Sequence, residues 1–380
     1  MNDYIYADNA ATTKLDRIAF EAMSPYLMEM YGNPSQPYAF SRAARKAIKD
    51  ARAIIANCIG AEPEEIYFTS GGTESNNWVL NAIRDKQFRN KGILISDIEH
   101  HAVIKPCEKL KADGIPIYTI SPDRDGTIPT EKLSHMLSQV SVGLVSIMTA
   151  NNEIGTIEPI TELCKVAHAN GAIFHTDAVQ AVGHIDIDVK KMGIDLMSAS
   201  AHKFNGPKGI GFLYMRKGVT LSSFLRGGSQ ENNLRAGTEN VASIVGMAYA
   251  LRENCAMLVE NSRYLVGLEN RLISKLIDSG IEFSINGGIK KLPGLVSISF
   301  AGCDGESILH RMDLMKIAIS TGAACDSERT EVSHVLKSIG LEKQIATGTI
   351  RISLGKNNTE VEVDKIADAL VKIVRSRKKW

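Results

Sequence analysis

The chain has 380 residues, of which 44% are hydrophobic and 23% charged, and its formal net charge is +1. Near neutrality gives no electrostatic reason to expect nucleic acid or an acidic membrane as partner, and no apolar run approaches the ~20 residues that span a bilayer. The length exceeds what a single core usually supports, so two domains are expected.

The opening Met1-Asn2-Asp3-Tyr4 lacks a basic region followed by an apolar core, so a cytoplasmic protein is expected. The six cysteines (58, 107, 164, 255, 303 and 325) contain no C-x-x-C pair and no zinc-like spacing, which argues against a disulfide framework and a structural metal. The basic tail Arg375, Arg377, Lys378 and Lys379 reads as the solvated end of a last helix.

In chain order, Tyr4-Ile5-Tyr6 leads into a small-residue polar turn, Ala7 to Thr13. Ala39 to Cys58 has the apolar stripe Ala44, Ile48, Ala51, Ile55 and Cys58 of an amphipathic helix, stopped at Gly60. Strand Ile66 to Thr69 is followed by Ser70-Gly71-Gly72-Thr73-Glu74-Ser75 and a helical run through Ile83. Glycines and hydroxyls at a helix N-terminus make an anion site, because unpaired N–H groups and the positive dipole end converge there. The spacing is neither a dinucleotide fingerprint nor a P-loop, so a lone cofactor phosphate suits it.

The alternation continues with strands at Ile93–Ser96, Pro116–Ile120, Gly143–Met148 and Ala172–Thr176, separated by helices from about Val103, Thr130 and Ile160. Strands and helices in this rhythm imply a mainly parallel sheet covered on both faces, with ligands bound beyond the strand carboxyl ends. Those ends carry Gly72 and Thr73, Glu99-His100-His101, Asn151-Asn152-Glu153, Asp177 to Gln180, and Lys203 after the Ile194–Ala199 run. An amine, an acid able to pair with a ring nitrogen, an imidazole able to stack and a phosphate cradle together describe pyridoxal phosphate. A metal site built from His100, His101, His175 and His202 is the competing reading, and it lacks local ligand spacing.

With these residues, the sequence resembles the NifS/IscS-type cysteine desulfurases, a class-V aminotransferase-like branch of the fold-type I pyridoxal phosphate enzymes. The likeness runs from Tyr6-Ala7-Asp8-Asn9 to Arg351-Ile352-Ser353-Leu354-Gly355. It is sharpest at Thr69 to Asn76, Asn151 to Gly155, His175 to Gln180, Ser200 to Lys203 and Ser320-Thr321-Gly322-Ala323-Ala324-Cys325. The fold it implies is α/β: a large domain with a mainly parallel seven-stranded sheet, from about 15 to 255, and a smaller α/β domain from residues 1–14 and 256–380.

The resemblance further implies a Schiff base on Lys203, ring stacking by His100, Asp177 on the pyridine nitrogen and Gln180 on the ring hydroxyl. Gly72, Thr73, Ser200 and His202 would hold the phosphate, and Asn152 would lie beside the cofactor. Thr238 would reach the phosphate of a neighbouring subunit, hence a homodimer. Arg351, helped by Asn33 and Asn152, would bind the carboxylate of L-cysteine, and Cys325 would take the sulfur as a persulfide for an acceptor protein. Iron–sulfur cluster assembly, tRNA thiolation and DNA phosphorothioation are the expected destinations. The short segment after the last helix (Glu360 to Val374) puts the usual scaffold partner in doubt. A selenocysteine lyase and an inactive scaffold remain the alternatives.

Overall fold

The computed structural model describes residues 4–321 and 332–376. Thirteen strands occur among the described residues: β1 (Ile5–Tyr6), β2 (Ile66–Thr69), β3 (Gly92–Ser96), β4 (Ile117–Ile120), β5 (Val142–Ser146), β6 (Ile173–Asp177), β7 (Leu196–Ser200), β8 (Gly211–Met215), β9 (Ser284–Asn286), β10 (Leu295–Ser299), β11 (Ile317–Ala318), β12 (Ser320–Thr321) and β13 (Thr349–Ser353). Seven of them form one sheet in the order β2-β8-β7-β6-β5-β3-β4. The pairs β7–β6, β6–β5, β5–β3 and β3–β4 are parallel, as the strand–helix alternation predicts.

β8 is the exception, antiparallel to both β2 and β7. It follows β7 through the turn at residues 201–210 with no crossover helix, so the chain reverses and returns alongside. Its first residue must be glycine: a Cβ at Gly211 would lie 2.4 Å from the Ala199 carbonyl oxygen and 2.7 Å from the Gly71 Cα. That contact seats the start of the helix that follows β2, Gly72–Asn81, against the paired ends of β7 and β8.

Both faces of the sheet are buried. Alternate residues divide between two apolar clusters, Ile93, Ile95, Leu144, Leu196 and Leu213 into one and Leu94, Val145, Met197 and Phe212 into the other. This is the period-2 pattern of a strand covered on both sides. On one face the Arg42–Ile59 helix, ended by Gly60 at φ 71°, packs on the Val241–Ala256 helix. The Gly72–Asn81 helix packs on His101–Ala112.

A smaller antiparallel sheet, β12-β13-β10-β9, carries the C-terminal part of the chain, and the N-terminal β1 pairs in parallel with β11 in a separate two-stranded sheet. The helices Leu258–Asp278 and Glu360–Ser376 pack together. Val296, Ile298, Ile350, Ile352, Leu268, Leu272 and Leu370 form the apolar cluster of this smaller unit. Among the described residues no helix is long and apolar enough to cross a membrane.

Candidate active site

The five strand-end loops picked out in the sequence meet at one cavity of about 460 Å³, lined by Gly72, Thr73, His100, Asn152, Asp177, Gln180, Ser200, His202 and Lys203. The smaller sheet contributes Arg351 and the N-terminal segment contributes Ala10 and Ala11. A parallel sheet puts its strand C-termini on one edge, so residues separated by more than a hundred positions share this space.

One wall is an anion cradle. The Gly72–Asn81 helix starts at Gly71 with no side-chain cap, which leaves its first N–H groups and the positive dipole end facing the cavity. A Cβ at Gly72 would fall 2.4 Å from Val179 Cγ2, and one at Gly71 would fall 3.5 Å from Ser200 Oγ. Glycine at 72 lets the helix end come this close to the loop after β6. Glu74, in its first turn, accepts from Ser70 N–H at 2.7 Å and from Arg235 Nε at 2.8 Å, which ties the Arg235–Thr238 segment to the outside of the cradle.

Beside the cradle, Asp177 at the end of β6 is 5% exposed. Its Oδ2 accepts from Asn76 Nδ2 at 2.6 Å and its Oδ1 from Val179 N–H at 3.0 Å. Asn76 is wholly buried and its Oδ1 has no partner among the described residues. Two residues earlier, His175 sits inside the sheet rather than in the cavity. Its Nδ1 is 2.8 Å from Ser146 Oγ on β5 and its Nε2 3.0 Å from Ser198 Oγ on β7, and burial pushes the imidazole down to about 3. It is a neutral cross-strand link, with both ring nitrogens engaged by serines.

Lys203 closes a single 3-10 turn after β7. Its Nζ donates to the carbonyls of Ala10 at 2.6 Å and Ala11 at 2.8 Å. Gln180 Nε2 donates to the same Ala10 carbonyl at 2.8 Å. His100 caps the His101–Ala112 helix: its Nδ1 accepts the Ala102 N–H at 3.0 Å, so the proton of the neutral ring is on Nε2. Burial, helped by the charges of Lys203 and His101 and opposed by Asp177, holds His100 below the usual histidine range. His202 is pushed down to about 4 by burial and by Lys203 and Lys208, and its Nδ1 lies 3.2 Å from Thr12 Oγ1.

Arg351, on β13, is 5% exposed. One Nη donates to the Asn152 carbonyl at 2.9 Å and the other to Asp8 Oδ1 at 2.7 Å, while its Nε is buried with no partner among the described residues. Beside it, Glu153 accepts from Ser333 Oγ, and burial raises its carboxyl to about 7. Glu99 is fully buried in the same wall: its Oε1 takes Met148 N–H at 2.8 Å and the Ser96 hydroxyl, and its Oε2 has no partner among the described residues. Burial pushes Glu99 up to about 8, against those two hydrogen bonds.

Two expected residues stand outside this cavity. Thr238 is exposed, and Asn33 makes a local turn by accepting Ser35 N–H at 3.0 Å. Cys325 lies outside the described residues. The sequence reading gave no role to Asn76, although it stands one helical turn after Gly72 and therefore shares its face. Nor did it assign Ser333 and His334, which no motif marks and which reach the wall only through tertiary folding.

The donors suit pyridoxal phosphate: an uncapped helix end with Ser200 and His202 for the phosphate, a buried carboxylate with no cation paired to it among the described residues for the ring nitrogen, and the Lys203 amine lining the same cavity. Fold and site together define a fold-type I pyridoxal phosphate enzyme. The aminotransferase class-V family model matches residues 5–366, and the chain belongs to that family. It is 45% identical over 376 residues to a cysteine desulfurase IscS of Dictyoglomus turgidum, covering 98% of this chain and 95% of the relative. A solved NifS-like protein superposes with a TM-score of 0.90 at 36% identity, covering 99% of this chain and 100% of the other. SspA solved in complex with cysteine gives a TM-score of 0.82 at 34% identity, with 93% and 100% covered.

The raised Glu99 carboxyl makes stability depend on pH. The native state keeps a proton that the unfolded chain releases above the ordinary 4.5, so this contribution is complete below that pH and is lost as pH rises toward about 8. Glu99→Gln keeps an oxygen for Ser96 and Met148 without the titration. Compared by urea unfolding of the holoproteins, the variant should gain on the parent by roughly 2–4 kcal/mol between about pH 5 and about pH 8. Parallel pH curves would show that Glu99 is ionised in the fold.

Proposed function

We propose that the protein is a cysteine desulfurase, which converts L-cysteine to L-alanine and passes the sulfur through Cys325 to an acceptor protein. The observation that carries this reading is where the Cys325 segment is rooted. Ser320, before it, pairs directly with Arg351 across β12 and β13, and Val332 and Ser333, after it, line the cavity wall. A segment with both roots at the substrate pocket suits a nucleophile that works inside it.

Pyridoxal phosphate supplies the electron sink for the pair left at the substrate Cα. Arg351 binds the substrate carboxylate: its guanidinium, with Nε unpaired among the described residues, lines the cavity, and its bond to Asp8 keeps the fork in place. Lys203, its ammonium held by two carbonyls, anchors the cofactor and then moves the Cα proton. Asp177, fixed by Asn76 and Val179, keeps a negative charge at the ring nitrogen. His100 offers its Nε2 proton to the reacting sulfur or its immediate neighbours. The Cys325 thiolate forms an S–S bond as the substrate C–S bond breaks, and protonation of the remaining carbon skeleton yields alanine.

The working form we infer is a cytoplasmic homodimer, with residues 15–255 as the large domain and 1–14 with 256–380 as the small one. An exposed apolar band supports the dimer: Phe20 is 55% exposed, Leu27 58%, Met28 83%, Tyr31 69% and Phe40 52%. Asn33 lies in this band, and a dimer is how it and the exposed Thr238 would come to a cavity that neither lines in its own chain. Sedimentation of the holoenzyme should give twice the chain mass, and a stable, active monomer would remove this assignment.

Cys325→Ala should still bind L-cysteine, seen as a change in the visible spectrum of the cofactor, while alanine formation falls at least about a hundredfold. Turnover with L-cysteine at the parent rate would exclude Cys325 as the sulfur-accepting nucleophile.

A further inference from the structure

Away from the cavity, two cysteines sit together at matching ends of two packed helices. Cys58 is in the last turn of the Arg42–Ile59 helix and Cys255 in the last turn of Val241–Ala256. Cys255 Sγ lies 4.0 Å from the Cys58 carbonyl oxygen and donates to it. Both are free thiols of intermediate burial, whereas Cys107 and Cys164 are each only 1% exposed. The proposed reaction uses neither member of the pair.

The two thiols are chemically unequal. The neighbouring Cys58 side chain holds Cys255 below the ordinary thiol range despite its burial, and Cys255, with burial, pushes Cys58 up. A thiol with enhanced thiolate character beside a second thiol is the arrangement of an attacking and a resolving cysteine.

We propose that Cys58 and Cys255 are a thiol pair that low-molecular-weight organic disulfides convert to an intramolecular disulfide. The Cys255 thiolate attacks one sulfur of the incoming disulfide, forming a mixed disulfide and releasing one small thiolate. Cys58 then gives up its proton and attacks the Cys255 sulfur, and the second small thiol leaves. The two protein thiols are oxidised by two electrons, and the small disulfide is reduced to two thiols. The bond would staple the end of the Arg42–Ile59 helix to the junction where the chain enters the Leu258–Asp278 helix and the smaller sheet.

The test treats the full-length holoenzyme with oxidised glutathione, blocks remaining thiols with iodoacetamide, and maps peptides by mass spectrometry without reduction. The expected product is one linked peptide pair carrying Cys58 and Cys255, less two hydrogens, while Cys107 and Cys164 react with iodoacetamide only after unfolding. Cys58→Ser should leave glutathione on Cys255, and Cys255→Ser should leave Cys58 unmodified. Alkylation of both cysteines in the oxidised parent, or glutathione persisting on its Cys255, would overturn the proposal. The parent measurement stands whether or not either variant folds.

Discussion

The site depends on the register of three parallel strands. β5, β6 and β7 are locked with Ser146 opposite His175 and Asp177 opposite Ser198, and the chain Ser146–His175–Ser198 crosses all three inside the sheet. A neutral imidazole buried this deeply is tolerated because each ring nitrogen has a hydroxyl partner. A one-residue slip of β6 would leave both nitrogens unpaired and turn Asp177 to the other face. The same register sets the distance between the Asp177 carboxylate and the turn that presents Lys203.

The second organising element is the short segment from Ala7 to Thr13, which touches nearly every part of the site. The Ala10 carbonyl accepts from Lys203 and Gln180, Asp8 holds Arg351, and Thr13 bonds the His202 carbonyl through both its N–H, at 2.9 Å, and its hydroxyl, at 2.8 Å. Asn9 N–H and Ser353 N–H also tie the segment to β13. The segment therefore joins the cavity edge of the large sheet to the strand of the small one that carries Arg351.

The cofactor edge was legible in the sequence because polar residues interrupt apolar strands only at their C-terminal ends, and a parallel sheet brings those ends together. The cradle was legible because Gly71 and Gly72 precede a helical run. β8 was not, since a short apolar strand after a glycine-rich turn does not declare its direction. The pairing of Arg351 with Asp8 spans 343 positions, and the neutral state of Glu99 comes from burial by elements distant in sequence, so neither leaves a local signal. Thr238 and Asn33 came only from resemblance, and their place outside the cavity of a single chain is a property that patterning within one chain does not encode.

The proposed chemistry turns on Lys203 as the residue that carries the cofactor. Borohydride reduction of the holoenzyme followed by peptide mapping tests this most directly. The pyridoxyl group should be found on the peptide containing Lys203 and, in Lys203→Ala, on none. Recovery of the group on any other lysine of the parent enzyme would contradict this role for Lys203.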